Sequence, residues 1–250
     1  MKYGAQLHTI RDYMQTHKDF ASSIKKISKL GFKCVQVSGV NPIIPPEEIG
    51  ETCQAYGLEV VISHADPARI LNNTEDVIKE HKYMNASYVG IGQIPKEYSR
   101  DQTGYRQFIT DYIPASRELK KEGLQLMYHN HHFEFEKLGE KHAIDYIKDN
   151  FKDVNFTLDT YWVQMAGADP AFWINRLKGR VEILHLKDCE VNNGISRMCE
   201  VMEGNMNWPY IIAAARASGI KYAFVEQDEC FGKDPFDCLA TSLNNLQNKL

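Results

Sequence analysis

The chain has 250 residues, 43% of them hydrophobic and 25% charged, with a formal net charge of −4. That balance supports a sizeable folded core and excludes a disordered chain. No Lys/Arg run forms a basic stripe, so nucleic acid is not an expected partner, and no apolar run is long enough to span a bilayer.

Cys34, Cys53, Cys189, Cys199, Cys230 and Cys238 include no C-x-x-C pair, and they read as reduced, structural thiols. The stretch Met1-Lys2-Tyr3-Gly4-Ala5 lacks the apolar core of a signal peptide, which makes a cytoplasmic enzyme the expectation.

Short apolar runs alternate with helical patterns from one end to the other. Tyr3–Leu7 is the first expected strand. Phe20, Ile24, Ile27 and Leu30 then recur at helical spacing and stop at Gly31, a suitable C-cap. Cys34–Val37 is the second strand, and its helix opens at Pro45-Pro46-Glu47-Glu48. Leu58–Ser63 is the third, with His64 just past it, followed by a helix near Thr74–Met84 and a fourth strand at Tyr88–Ile91. Gln93–Gly104 reads as a loop. A helix over Tyr105–Lys121 should be kinked or divided at Pro114.

Leu124–Tyr128 is the fifth strand and leads into His129-Asn130-His131-His132-Phe133-Glu134. A helix at Ala143–Asn150 precedes the sixth strand, Val154–Leu158, which ends at Asp159. Asp169-Pro170 then reads as a helix cap. Val181–Leu184 is the seventh strand and ends at His185. After a loop through Gly204 come a helix at Trp208–Ser218, the eighth strand at Tyr222–Val225 ending at Glu226, and a last helix over Pro235–Leu250. Eight strand–helix units without a composition break predict an α/β fold, a single-domain (β/α)8 TIM barrel over residues 1–250. An open doubly wound sheet fits less well, because His8-Thr9-Ile10-Arg11-Asp12 carries no glycine fingerprint after the first strand.

A barrel of this kind carries its site at the carboxyl ends of the strands. There the sequence places Gln6, Gln36, His64, His129, His131, Glu134, Asp159, His185, Lys187, Glu226 and Gln227. Carboxylates and a histidine drawn from different strands suit a divalent ion such as Mn²⁺, Mg²⁺ or Co²⁺, with Zn²⁺ less suited to a carboxylate-rich shell.

Several motifs carry a resemblance. Leu158-Asp159-Thr160-Tyr161-Trp162-Val163 with Ala166-Gly167-Ala168-Asp169-Pro170 resembles the sixth-strand signature of the xylose-isomerase-like sugar isomerase/epimerase superfamily. His185-Leu186-Lys187-Asp188 and Val225-Glu226-Gln227-Asp228 resemble its seventh- and eighth-strand motifs. Tyr128-His129-Asn130-His131-His132-Phe133-Glu134-Phe135 is similar to the fifth-strand motif of a subgroup near the inosose dehydratases, and Gln6-Leu7, Arg11 and His64 match positions common there. The resemblance spans essentially the whole chain.

The resemblance implies a divalent metal on Glu134, Asp159, His185 and Glu226. Many members place the strand-five glutamate directly before the Asn-His pair, where this chain has His129. His129, His131 and Glu136 therefore stand as alternative donors to Glu134. The implied chemistry is proton abstraction next to a carbonyl through a metal-stabilised enediolate, with Glu134, Glu226, His131 and Lys187 as catalytic groups. Gln6, His64, His129 and Trp162 are the expected substrate contacts.

The expected activity is that of an isomerase or epimerase of a sugar or keto-sugar in carbohydrate metabolism. The alternatives are a dehydratase of a keto-inositol, a lyase of a 3-keto-glycoside, and a non-catalytic or partner-dependent subunit. An endonuclease-IV-like enzyme would need a basic groove. Glu203-Gly204-Asn205 is a poor phosphate cradle, which favours an unphosphorylated sugar or polyol substrate. The expected partners are that small molecule and, as an open alternative, further copies of the chain.

Overall fold

A computed structural model describes residues 1–249. Eight parallel strands, β1 (Lys2–Gln6), β2 (Cys34–Val37), β3 (Glu59–His64), β4 (Tyr88–Ile91), β5 (Gln125–His129), β6 (Asn155–Asp159), β7 (Val181–Leu186) and β8 (Tyr222–Val225), pair in chain order, and β8 closes back on β1. Helices link the strands, so the chain forms the single (β/α)8 barrel its alternation predicts. Among the described residues no helix is long and apolar enough to cross a membrane.

The main apolar core lies between the strands and the surrounding helices, with Leu126, Phe156, Leu184 and Val225 among its strand residues. A second cluster, which includes Cys34, Ile62, Tyr88, Met127, Ile183 and Phe224, fills the barrel lumen. The side chains of a strand alternate between its two faces. The residues two places further along these strands, Gln36, His64, Gly90, His129, His185 and Glu226, therefore form the next lumen layer, and that layer is the site.

Several expectations need correcting. Gln102–Lys121 is one helix with Pro114 inside it. It buries Phe108, Tyr112 and Leu119, each worth about 2 kcal/mol. That outweighs the roughly 3 kcal/mol cost of an internal proline. The first strand stops at Gln6, one residue short of expectation, and a 3-10 segment at Leu7–Tyr13 follows it directly, while a helix at Pro67–Asn72 lies where no element was expected. Two antiparallel hairpins also appear, Lys137–Leu138 with Lys141–His142 and Asp188–Asn192 with Ile195–Cys199. The last helix runs over Pro235–Asn248, and Leu250 lies outside the described residues.

Candidate metal centre

Strand register brings the polar layer together. Asp159 at the end of β6 stands opposite His185 of β7, and the Glu226 backbone N–H donates to Leu186. One donor atom from each of His129, Asp159, His185 and Glu226 lies within 4.8 Å of the other three. All four residues are buried.

The hydrogen bonds around them fix which atoms face inward. His129 Nδ1 lies 2.8 Å from the Gly92 carbonyl, which can only accept, so the ring proton sits on Nδ1. Burial lowers the His129 pKa despite Asp159, and the ring is neutral. Its Nε2 lone pair thus faces Asp159 Oδ2 at 3.1 Å. His185 Nε2 lies 2.7 Å from Gln36 Oε1, and Gln36 Nε2 lies 2.8 Å from His64 Nε2. Donation then runs from His185 to Gln36 to His64. It leaves His185 Nδ1 aimed at Glu226 Oε2, 2.9 Å away, and at Asp159 Oδ2, 3.6 Å away.

Asp159 has two tasks. Its Oδ1 accepts the Trp162 N–H and caps the helix Thr160–Met165, while Oδ2 faces the cluster. Burial raises both the Asp159 and Glu226 pKa values, but nearby cationic and imidazole groups, Lys187 foremost, hold both well below the usual carboxylate range. Burial likewise pushes the His185 pKa down, and the neighbouring Glu226 and Asp159 reverse this and leave it raised. His185 Nδ1 and Glu226 Oε2 are buried and make no well-aligned hydrogen bond, their close polar contacts being the ion pairs with each other and with Asp159 and Lys187. Two imidazole nitrogens and two carboxylate oxygens converge here, both rings held by outer partners, and these residues fit a divalent ion.

A built-in cation shares the site. Lys187 Nζ lies 3.1 Å from Asp159 Oδ2, 2.9 Å from Glu226 Oε2 and 3.0 Å from both Asp228 oxygens. Burial lowers the Lys187 pKa, but these carboxylates outweigh it and keep the amine protonated. Asp188, its neighbour in sequence, is used otherwise. It accepts from the backbone N–H groups of Cys189, Met202, Gly204 and Met206 and from Trp208 Nε1.

Glu134 does not join the cluster. It sits in the turn Phe133–Phe135, where Oε1 accepts from Tyr128 Oη at 2.5 Å and Oε2 from the His131 N–H at 2.7 Å. The chain turns out of β5 after His129, which carries Glu134 behind the strand, and His129 takes the strand-five place. Glu136 is exposed and also outside the cluster.

A chamber of about 160 Å³ opens beside the cluster, lined by Gln6, His64, His129, His131, Lys187 and Glu226 among others. His131 stacks on Phe133, with its Nδ1 buried and unpartnered. Trp162 packs behind His131, ring centroids 5.1 Å apart, and is not among the chamber's lining residues. His8 and Asp228 also line the chamber, and sequence reading did not propose them as site residues. Both lie beyond the ends of β1 and β8, His8 in the 3-10 segment Leu7–Tyr13, so strand alternation does not point to them. Gln36, read only as a strand-end residue, is the link between His185 and His64.

A closed parallel barrel with a donor cluster at the carboxyl ends of its strands defines a TIM barrel with its site at the usual face. The chain belongs to the xylose isomerase-like TIM barrel family, whose model matches residues 24–235. The motifs read from the sequence point to the same family.

Among solved structures, a sugar phosphate isomerase/epimerase from Parabacteroides distasonis ATCC 8503 is 20% identical, with a TM-score of 0.83 over 99% of this chain and 98% of that one. A probable 3-DHS dehydratase involved in petrobactin synthesis in Bacillus anthracis is 15% identical, with a TM-score of 0.76 over the whole of both chains. The IOLI protein, described with a binding zinc atom, is 12% identical, with a TM-score of 0.72 over 98% of this chain and 96% of that one. These likenesses concern the fold. A comparison with curated proteins found no match.

Proposed function

We propose that the chain is a divalent-metal-dependent isomerase or epimerase of an unphosphorylated sugar or keto-sugar, acting by proton abstraction next to a carbonyl. The observation that carries this reading is the convergence of His129, Asp159, His185 and Glu226 at four strand ends. A divalent ion held by these residues would supply Lewis-acid stabilisation of the charge that develops on the substrate's carbonyl oxygen. With His129 in the strand-five place the donors are two nitrogens and two oxygens, which favours Mn²⁺, Co²⁺ or Zn²⁺ over Mg²⁺.

The chain's own groups divide the remaining work. Glu226 is ionised and lines the chamber, so it is the carboxylate suited to take the proton. His131 is brought down to about 3, mainly by burial, so its ring stays neutral and offers a hydrogen bond more readily than a base. Lys187 presents a fixed positive charge for a substrate oxygen, and Gln6 and His64 complete the polar wall. The chamber's size suits a single sugar ring. The Gly204 N–H is already committed to Asp188, so that loop offers no phosphate cradle.

A second reading, a dehydratase or related lyase, draws support from one observation. Glu134 is tied to Tyr128 and His131, so no strand-five carboxylate stands opposite Glu226 to return a proton from the other face. Loss of a β-hydroxyl needs no such second carboxylate, and the Lys187 ammonium that lines the chamber suits the charge developing on the departing oxygen.

The test is NMR of Mn²⁺-loaded and Zn²⁺-loaded protein in deuterated water with a panel of ketoses, 3-keto-glycosides and inososes. The proposal expects C–H exchange with at least one of them, reduced at least 100-fold in Glu226→Gln. An isomeric product marks the first reading and an enone the second. Exchange that persists in Glu226→Gln or after chelation of the metal contradicts both.

A further inference from the structure

We propose that Lys187 is an internal counter-ion that competes with the divalent ion for the centre's two carboxylates, and that Asp228 holds it when the ion binds. The inference rests on the metal-dependent reading above. Lys187 Nζ contacts Asp159 Oδ2 and Glu226 Oε2, the same oxygen atoms that face His129 Nε2 and His185 Nδ1. An ammonium and a divalent ion therefore draw on the same two oxygens.

The third carboxylate makes the exchange workable. Asp228 meets Nζ through both of its oxygens, at 3.0 Å each, and takes no part in the four-residue donor group. Its own backbone is fixed, because its carbonyl accepts from Arg11 Nη1 at 2.9 Å. Lys187 can thus release Asp159 and Glu226 without losing an ion-pair partner, and its flexible stem permits the small shift. The charges agree. With His185 neutral as a metal donor, Asp159, Glu226 and Asp228 against Lys187 leave a surplus of two negative charges, which one divalent ion neutralises while Lys187 keeps its charge.

Two consequences follow for metal binding. A unit positive charge at hydrogen-bond distance from two of the four donor residues weakens a second cation by about tenfold or more, even with partial screening. The same charge lets the carboxylates stay together without the ion, since buried like charges with no partner are strongly unfavourable.

The experiment is Mn²⁺ titration by calorimetry on chelator-treated protein, with thermal unfolding measured before and after Mn²⁺ addition. Lys187→Met is expected to bind Mn²⁺ at least tenfold more tightly than the wild type. It should also unfold at a lower temperature without the ion and recover on its addition. Lys187→Arg, which keeps the charge, should retain the wild-type affinity within about threefold. Asp228→Asn should weaken Mn²⁺ binding severalfold in the wild type and leave Lys187→Met unaffected, because Asp228 acts through Lys187.

Equal or weaker binding by folded Lys187→Met overturns the inference while leaving the metal reading intact. No Mn²⁺ binding by either protein overturns both. Should Lys187→Met fail to fold, Asp228→Asn decides, and an unchanged Mn²⁺ affinity in that variant overturns the inference.

Discussion

Glu134 and His129 show how a few ångströms of chain direction reassign two residues. Both belong to the stretch that sequence reading marks as unusual, and both were candidates for the strand-five place. Their roles depend on where β5 stops, which period-two spacing does not encode. Glu134 is fully buried, and burial raises its pKa to about 7 against an ordinary 4.5, although Tyr128 and the His131 N–H oppose this. A carboxyl raised on folding binds more protons in the folded state between those values. Its contribution to stability is therefore full below pH 4.5 and is lost as pH rises through 7. The size is about 3 kcal/mol. The stability difference between wild type and Glu134→Gln, measured by urea unfolding in chelator, should shift by that amount between pH 4.5 and 8. The amide also loses an acceptor for the His131 N–H, which adds only a constant offset. A difference that does not vary with pH would show that Glu134 titrates normally.

The strand–helix alternation was readable because each element carries its own period and punctuation. Gly31 ends the first long helix at φ 103°, and Asp169 caps the helix at Pro170, both as the sequence suggests. The segment after β7 was not readable, because its order comes from one side chain. Asp188 gathers four backbone N–H groups and the Trp208 indole, and so folds the hairpin Asp188–Cys199 and the turn after it against the barrel. Gly204 belongs to the same arrangement, since a Cβ there would lie 2.3 Å from the Cys189 carbonyl oxygen. Asp188→Asn keeps one acceptor and turns the other into a donor facing N–H groups. The expected cost is about 3 kcal/mol of stability, with faster proteolysis confined to residues 188–206. Unfolding and cleavage indistinguishable from wild type would remove Asp188 from this role.

The barrel explains why residues far apart in sequence share one chamber. Eight strands bring their carboxyl ends to one rim, and alternation sends every second residue of each strand inward. The fold and the family were therefore legible from pattern and motifs. Three members of the donor group, Asp159, His185 and Glu226, were legible as strand-end residues. The fourth, His129, was one of several donors left open with Glu134, because both follow the same apolar run and only the three-dimensional turn after β5 separates them. His129, together with His185, would give the centre two imidazole donors. The direct measurement is X-ray absorption at the cobalt edge of the Co²⁺-loaded protein, which counts imidazole ligands through their multiple scattering. Two imidazoles per ion, falling to one in His129→Ala, is the predicted result. One imidazole in the wild type, unchanged in His129→Ala and lost in His185→Ala, would contradict it.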